Sequence, residues 1–198
     1  MRVPRGTSRY ECIIKRSRFI GQAWAVPDRR EVDRIVTDLR REHRDVNHVV
    51  YAFVIGDTTS QLFGLSDDGE PRGTAGRPIL DILKGSDITD CLVTVVRYFG
   101  GTKLGTGGLV HAYGDAARGC LDMLTTEPKR DLRAASVTCP YPLLTVVRTI
   151  LLDLRAEITT EAFNETVTVA FLLERGLEGR LNAALKDVSR GTLSPCFT

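Results

Sequence analysis

The chain has 198 residues, 42% of them hydrophobic, and a formal net charge of +2. These values are ordinary for a globular protein of one medium domain or two small ones, and so small a charge does not by itself indicate a nucleic-acid-binding protein. No apolar run is long enough to cross a bilayer, and the amino terminus lacks the apolar region of a signal peptide. We therefore expect a soluble, cytoplasmic protein that does not contact membranes.

The five cysteines are odd in number and scattered, with no Cys-x-x-Cys pair. This distribution argues for reduced thiols and against both a disulfide scaffold and a zinc site. Cys91 and Cys120 lie within apolar patterns and are predicted to be small core residues.

The first 18 residues carry six basic side chains and a single acidic one, Glu11. Such a stretch is either an arm that pairs with phosphate groups or, more commonly, a solvated terminus.

Hydrophobic periodicity predicts alternating strands and helices over the first 125 residues. A helix begins after Asp28, because Asp28 and Glu31 match the capping-box pattern, and a hairpin turn is expected at Gly56-Asp57-Thr58. His48 begins a strand and is assigned a structural role, since no second histidine lies at a ligand spacing from it. The predicted strands cover residues 9–14, 19–26, 48–55, 60–65 and 92–96, and the predicted helices cover residues 28–43 and 78–85 and a third segment that ends near residue 125.

A charged segment at residues 127–133 contains Pro128 and separates two unlike patterns, so we place a boundary between domains at residues 1–131 and 132–198. The second part has the order β-α-β-β-α-β of a ferredoxin-like domain, with a last strand at residues 192–197. It lacks a cluster of histidines, cysteines or paired carboxylates, which favours an interaction or regulatory module.

A glycine-rich turn between the strand at residues 92–96 and the helix that follows is the most distinctive part of the chain. So many glycines indicate that backbone approaches something closely, and the start of a helix offers unpaired N–H groups and partial positive charge to an anion. Arg97 shares a strand face with Val93 and Val95, at the end nearest this turn. The predicted phosphate-binding residues are Arg97, Lys103, Gly105, Thr106, Gly107 and Gly108, assisted by Arg72 and Thr74 from the preceding loop.

A plainer interpretation is that Thr74 and Thr106 are N-caps of their helices. That interpretation explains the two threonines well but the glycines poorly.

Three carboxylates, Asp67, Asp68 and Glu70, lie in the loop before the second helix and allow three interpretations. They form a polar turn around Asp68-Gly69, or they form salt bridges that order the glycine loop, or they bind Mg²⁺ or act as an acid–base pair. Like charges this close need an offsetting cation, so Arg72, Arg97 or a metal is expected nearby. The standard nucleotide-binding fingerprints and the hydrolase triad are not matched.

Three segments together resemble the signature of the bacterial YigZ family, which shares this region with the eukaryotic translational regulator Impact. They are SDDGEP (residues 66–71), GTAG (73–76, followed by Pro78) and RYFGGTKLGTGGL (97–109). The resemblance implies an α+β protein of two domains: an amino-terminal domain with the fold of ribosomal protein S5 domain 2, and a ferredoxin-like domain similar to one in elongation factor G. Both folds recur in proteins that touch RNA or the ribosome.

The leading hypothesis is a non-enzymatic nucleic-acid- or ribosome-associated protein that acts in translation regulation, needs no cofactor and has RNA or the ribosome as partner, with DNA as a second option. The first alternative is a Mg²⁺-dependent enzyme that acts on a small phosphorylated substrate, with the three carboxylates as metal ligands. The second is an interaction adaptor that uses the carboxy-terminal sheet.

Overall fold

The computed structural model describes residues 1–44, 46, 48–57 and 60–198. The chain forms two compact units, Met1–Lys129 and Arg130–Thr198, and the predicted two-domain α+β architecture is confirmed. Thr58 of the expected hairpin turn lies outside the described residues. None of the described helices is both long and apolar enough to cross a membrane.

The first unit is built on an antiparallel five-stranded sheet with strand order β2-β3-β6-β4-β5. A separate two-stranded sheet pairs β1 with β7. The strands are β1 (Arg2–Pro4), β2 (Ser8–Ile14), β3 (Ser17–Ala25), β4 (His48–Gly56), β5 (Gln61–Ser66), β6 (Cys91–Tyr98) and β7 (Thr126–Pro128), and the helices are α1 (Arg29–Glu42), α2 (Gly76–Gly85) and α3 (Gly105–Asp122).

Helices cover both faces of the five-stranded sheet. Val93 and Val95 of β6 belong to the core that contains residues of α2 and α3, whereas Leu92 and Val96 belong to the core on the α1 face. Successive side chains of a strand point to opposite faces. Because both faces are buried, β6 is apolar at nearly every position rather than at every second one, as its sequence indicates.

The basic amino-terminal stretch contributes β1 and β2 to the two sheets of the first unit, so of the two alternatives from composition the free arm is excluded. Arg2 pairs with Pro128 in the β1–β7 ladder, and its guanidinium donates to the Thr126 hydroxyl at 2.7 Å and to the Thr126 carbonyl at 2.6 Å. Strands of three residues are too short to show periodicity, so β1 and β7 had no signal in the sequence.

Helix α1 begins as predicted, because the Asp28 side chain accepts a hydrogen bond from the Glu31 amide at 3.0 Å. Helix α3 ends at Asp122, a little before the predicted end near residue 125. Leu124 still packs against the core from the turn that follows the helix, which is why it continued the apolar pattern.

The second unit has the predicted ferredoxin-like order, and its antiparallel sheet runs β11-β8-β10-β9. The last strand contains two residues rather than six. Leu193 and Thr192 instead bond to Ser189 at the end of the preceding helix, and Pro195 follows them. The elements are β8 (Leu132–Cys139), a 3-10 helical turn (Tyr141–Leu143), α4 (Leu144–Asp153), β9 (Glu157–Phe163), β10 (Val167–Glu174), α5 (Glu178–Ser189) and β11 (Cys196–Phe197).

Candidate functional site

The two loops singled out in the sequence line one cavity of about 380 Å³ in the first unit. One loop leads from β5 to α2, and the other leads from β6 to α3. Together they bring the acidic segment beside the glycine-rich turn. The polar and charged lining comes from Glu70, Arg97, Lys103, Gly105 and Thr106, and the apolar lining comes from Pro71, Phe99, Leu104 and Leu109.

Arg97 is the central side chain of this cavity and is only 8% exposed. It lies on the same face of β6 as Val93 and Val95, as strand alternation predicts. Its Nη1 donates to Glu70 Oε1 at 2.6 Å. Within the described residues no acceptor reaches Nε, which is fully buried. Nη2 also donates to no described residue, so Arg97 retains donor capacity beyond its bond to Glu70.

Two partners hold the Glu70 carboxylate in place. Besides Arg97, the hydroxyl of Tyr113 donates to Glu70 Oε1 at 2.8 Å. The pKa of Tyr113 is raised, first by its burial and then by the charge of Glu70. Tyr113 is therefore a neutral, permanent donor at neutral pH, and the carboxylate and guanidinium cannot reorient freely.

The amino end of α3 opens beside Arg97 without a capping side chain. Its N-cap residue is Leu104, and no side chain from the described part of the chain bonds to this end. The first amides of a helix lack intrahelical acceptors and carry partial positive charge. Lys103 lies next to them and forms no ion pair with any described residue. The site thus combines oriented N–H groups with a free ammonium group.

The N-cap interpretation of the two threonines is wrong. Helix α2 has Ala75 at its N-cap position, with no N-cap side-chain bond. The Thr74 hydroxyl donates instead to the Pro71 carbonyl at 2.6 Å. Thr106 lies one residue inside α3 and lines the cavity.

The protein's own backbone accounts for part of the glycine density in the turn. A Cβ atom on Gly100 would lie 2.1 Å from the carbonyl carbon and oxygen of Arg16, so that glycine permits a close approach of two backbone segments. Gly105 has a φ of +75°, which side chains rarely tolerate. Gly107 has neither constraint, since nothing lies within 4 Å of its Cβ position.

Asp67 organises the loop before α2 through hydrogen bonds to backbone amides. Its carboxylate accepts from Gly73 at 2.8 Å, from Ala75 at 3.1 Å and from Gly76 at 2.8 Å. Asp67, which lies in the preceding loop, thereby accepts the hydrogen bonds that an N-cap side chain would accept in other helices.

Asp68 turns away from the cavity toward α1 and β4. It forms a 2.5 Å ion pair with Arg40 and accepts from the Val49 amide at 2.7 Å, and its carbonyl lies 2.6 Å from His48 Nδ1. The His48 contact agrees with the predicted structural role of that ring. Arg40 had no signal in the sequence, because it is 28 residues away on what looked like a solvated helix face.

The three carboxylates of the acidic loop therefore have three separate sets of protein partners. Of the offsetting cations expected from sequence, Arg97 pairs with Glu70. Among the described residues no group of three or more histidine, cysteine or acidic side chains is arranged to hold a metal ion. The contacts favour the interpretation in which these carboxylates order the loop.

The remaining predicted site residues lie outside the cavity lining. Arg72 is exposed in the loop before α2, and Gly107 and Gly108 follow in the first turn of α3. Sequence reasoning missed the apolar lining altogether. The sequence signal at Phe99 was its position, which continues the alternation of Val95 and Arg97 beyond the end of β6. That Phe99 is 54% exposed follows only from the structure.

Comparisons with known proteins bear on the region that holds this cavity. A model of the Impact N-terminal domain matches residues 15–121, more than half of the chain. The chain belongs to the IMPACT family. A second model, a domain of unknown function called DUF1949, matches residues 137–192. Every residue that lines the cavity falls within the Impact N-terminal domain.

Several relatives are similar to this chain over nearly its whole length. The IMPACT family member YigZ of Escherichia coli (strain K12) is 39% identical over 181 residues, covering 91% of this chain and 89% of the relative. An IMPACT family member of Thermus thermophilus is 37% identical, covering 91% and 98%. A solved crystal structure of a hypothetical protein is similar over 98% of this chain and 95% of its own, with 36% identity and a TM-score of 0.76.

Proposed function

We propose that this chain is a non-enzymatic, cytoplasmic protein of translation regulation that associates with RNA or the ribosome and binds phosphate groups in the cavity at the amino end of α3. The observation that carries the proposal is a nearly buried arginine of the cavity wall whose guanidinium bonds to Glu70 alone among the described residues, placed beside Lys103 and an uncapped helix end. Guanidinium groups and oriented backbone amides are the groups that proteins use to bind phosphate. DNA is the second option for the same chemistry.

The local charge balance supports an anionic ligand despite the carboxylate in the cavity wall. Glu70 is paired with Arg97, so the two charges offset each other. Lys103 remains as the surplus charge, and the helix end adds partial positive charge. A phosphate group would therefore meet net positive potential and a set of fixed donors.

The assignment to translation follows from the resemblance of both domains to folds found in proteins that touch RNA or the ribosome. The five cysteines, all within the described residues, are free thiols, which fits a reducing compartment such as the cytoplasm. The alternative of a Mg²⁺-dependent enzyme was based on three carboxylates as metal ligands. In the structure Asp67, Asp68 and Glu70 each bond to other protein groups, which argues against that alternative.

Equilibrium binding of a labelled RNA oligonucleotide across a salt series tests the proposal. We expect affinity to fall steeply with salt, because each phosphate contact to a single strand adds about 0.7 to the slope of log affinity against log salt. Lys103→Ala removes one such contact and should lower the slope by about 0.7, and Lys103→Glu should weaken binding further.

Arg30→Ala is the matched control. It removes one exposed positive charge from α1, which packs on the opposite face of the sheet. Affinity that does not depend on salt, or an equal effect of Arg30→Ala and Lys103→Ala, would refute phosphate binding at this cavity.

A further inference from the structure

Phe99 gives the cavity a feature that phosphate binding alone does not require. The guanidinium carbon of Arg97 lies 5.4 Å from the centroid of the Phe99 ring, so the cation covers one ring face. The residue is nevertheless 54% exposed and belongs to the cavity lining. A half-exposed aromatic ring that lines a cavity and is held by a cation is a platform for a flat ligand.

The size and the divided lining of the cavity agree with such a ligand. A volume of about 380 Å³ lies in the lower part of the range of small-molecule sites, which is roughly 300–1,000 Å³. Donors are grouped around Arg97, Lys103 and the start of α3, whereas Phe99 and Leu104 supply apolar surface. The occupant should therefore carry an anionic group and a flat, weakly polar body at the same time.

We infer that the cavity binds one unpaired nucleotide of a single-stranded RNA, with its phosphate at the amino end of α3 and its base stacked on the half-exposed ring of Phe99. The inference rests on the proposed function and specifies its ligand. In a duplex each base is stacked and paired, so its faces cannot reach an aromatic side chain. In a single strand the base can be turned out and stacked.

Three ligands separate the possible occupants: a single-stranded RNA oligonucleotide, the same sequence as a blunt duplex, and free adenosine monophosphate. The single strand should bind more tightly than the other two. Phe99→Leu, which keeps an apolar side chain but removes the ring, should weaken single-strand binding about 5- to 150-fold, since this is the range for loss of one base–aromatic stack. Phe99→Tyr retains a ring and should bind like the original chain.

A fluorescent base, 2-aminopurine, placed within the oligonucleotide reports stacking directly. Its emission should be quenched on binding to the original chain and to Phe99→Tyr, and much less on binding to Phe99→Leu. Because Phe99 is half exposed, its replacement should leave the circular dichroism spectrum unchanged.

The outcomes distinguish this inference from the proposed function. Equal affinity for duplex and single strand, or no effect of Phe99→Leu, overturns the inference, while salt-dependent binding that is reduced in Lys103→Ala keeps the proposed function. Tighter binding of adenosine monophosphate than of the oligonucleotide also overturns it, in favour of a free nucleotide. The absence of any salt-dependent RNA binding by the original chain overturns both.

Discussion

Arg97 and Glu70 form an ion pair whose side chains are only 8% and 4% exposed. Removing two charges from water is costly, and their attraction repays the cost only when the geometry is good. The hydrogen bond from Tyr113 and the short Arg97–Glu70 distance supply that geometry. Glu70 thus holds the Arg97 guanidinium in the cavity wall, where an unpaired cation would not be stable.

Glu70→Gln should destabilise the first unit by about 3 kcal/mol, because it leaves the Arg97 charge buried without its counter-ion. The single tryptophan, Trp24, lies in β3 of the first unit, so its fluorescence during urea unfolding measures this loss. Asp115→Asn is the control, since Asp115 pairs with Arg118 on the surface with 56% of its side chain exposed. An equal loss for both variants would contradict the importance of burial.

Two glycines of the α3 start should respond oppositely to the same substitution. Gly107→Ala should stabilise the first unit by up to about 1 kcal/mol, because alanine favours helix and nothing occupies its Cβ position. Gly105→Ala should destabilise it by roughly 1 kcal/mol, because Gly105 has a φ of +75°. Urea unfolding followed by Trp24 fluorescence gives both signs, and a gain from both substitutions would refute the strain at Gly105.

At the scale of elements, the amino ends of α2 and α3 are built differently although their sequences look alike. Each follows a loop with glycines, a threonine and a basic residue, which predicts the same role for both. In α2 the amides near the helix start are taken by Asp67, whereas no side chain caps α3 among the described residues. Only the second is therefore available to a ligand.

Asp67→Ala should destabilise the first unit by about 2 kcal/mol, because three backbone amides lose a charged acceptor. Asp81→Ala removes a carboxylate from within α2, where it pairs with Arg77 and is 53% exposed, and should have a much smaller effect. Thermal unfolding of the two variants compares them directly. Equal melting temperatures would show that Asp67 does not order the loop.

The sequence predicted the elements and the direction of Arg97 because both follow from periodicity along a single segment. It also predicted that Lys103, Gly105 and Thr106 lie together, since they are neighbours in one turn. It could not predict that Asp68 meets Arg40 or that Glu70 meets Tyr113, because these pairs are 28 and 43 residues apart. The sequence also could not show which glycines of the turn are required by the fold, as Gly100 and Gly105 are, and which are not, as at Gly107.

At the scale of the whole molecule, each unit has a hydrophobic core of its own. The core of the second unit consists only of residues from 135 to 197. Residues 130–198 should therefore fold when expressed alone, with a cooperative thermal transition in circular dichroism.

Leu151 is fully buried in the core of the second unit. Leu151→Ala should cost about 2–5 kcal/mol, a large part of the about 3–10 kcal/mol expected for an isolated domain of this size, and should lower its melting temperature clearly. A spectrum of random coil for the unmodified segment would show that its core is insufficient.

The cysteines should report the packing of the intact chain. Burial raises the pKa of Cys91 and Cys120 to about 12, so their reactive thiolate forms are scarce at pH 8. Cys196 is exposed in β11. Iodoacetamide at pH 8 should label Cys196 first, and mass spectrometry should find Cys91 and Cys120 unmodified until urea is added. Early labelling of either buried thiol would contradict the packed core.

The pairing of β1 with β7 joins two strands that are synthesised at different times. Arg2 and Thr126 are 124 residues apart, and translation proceeds at about 5–20 residues per second, so the amino terminus waits about 6 to 25 seconds for its partner strand. During that interval β1 lacks its partner strand, and the first unit is complete only when β7 has emerged.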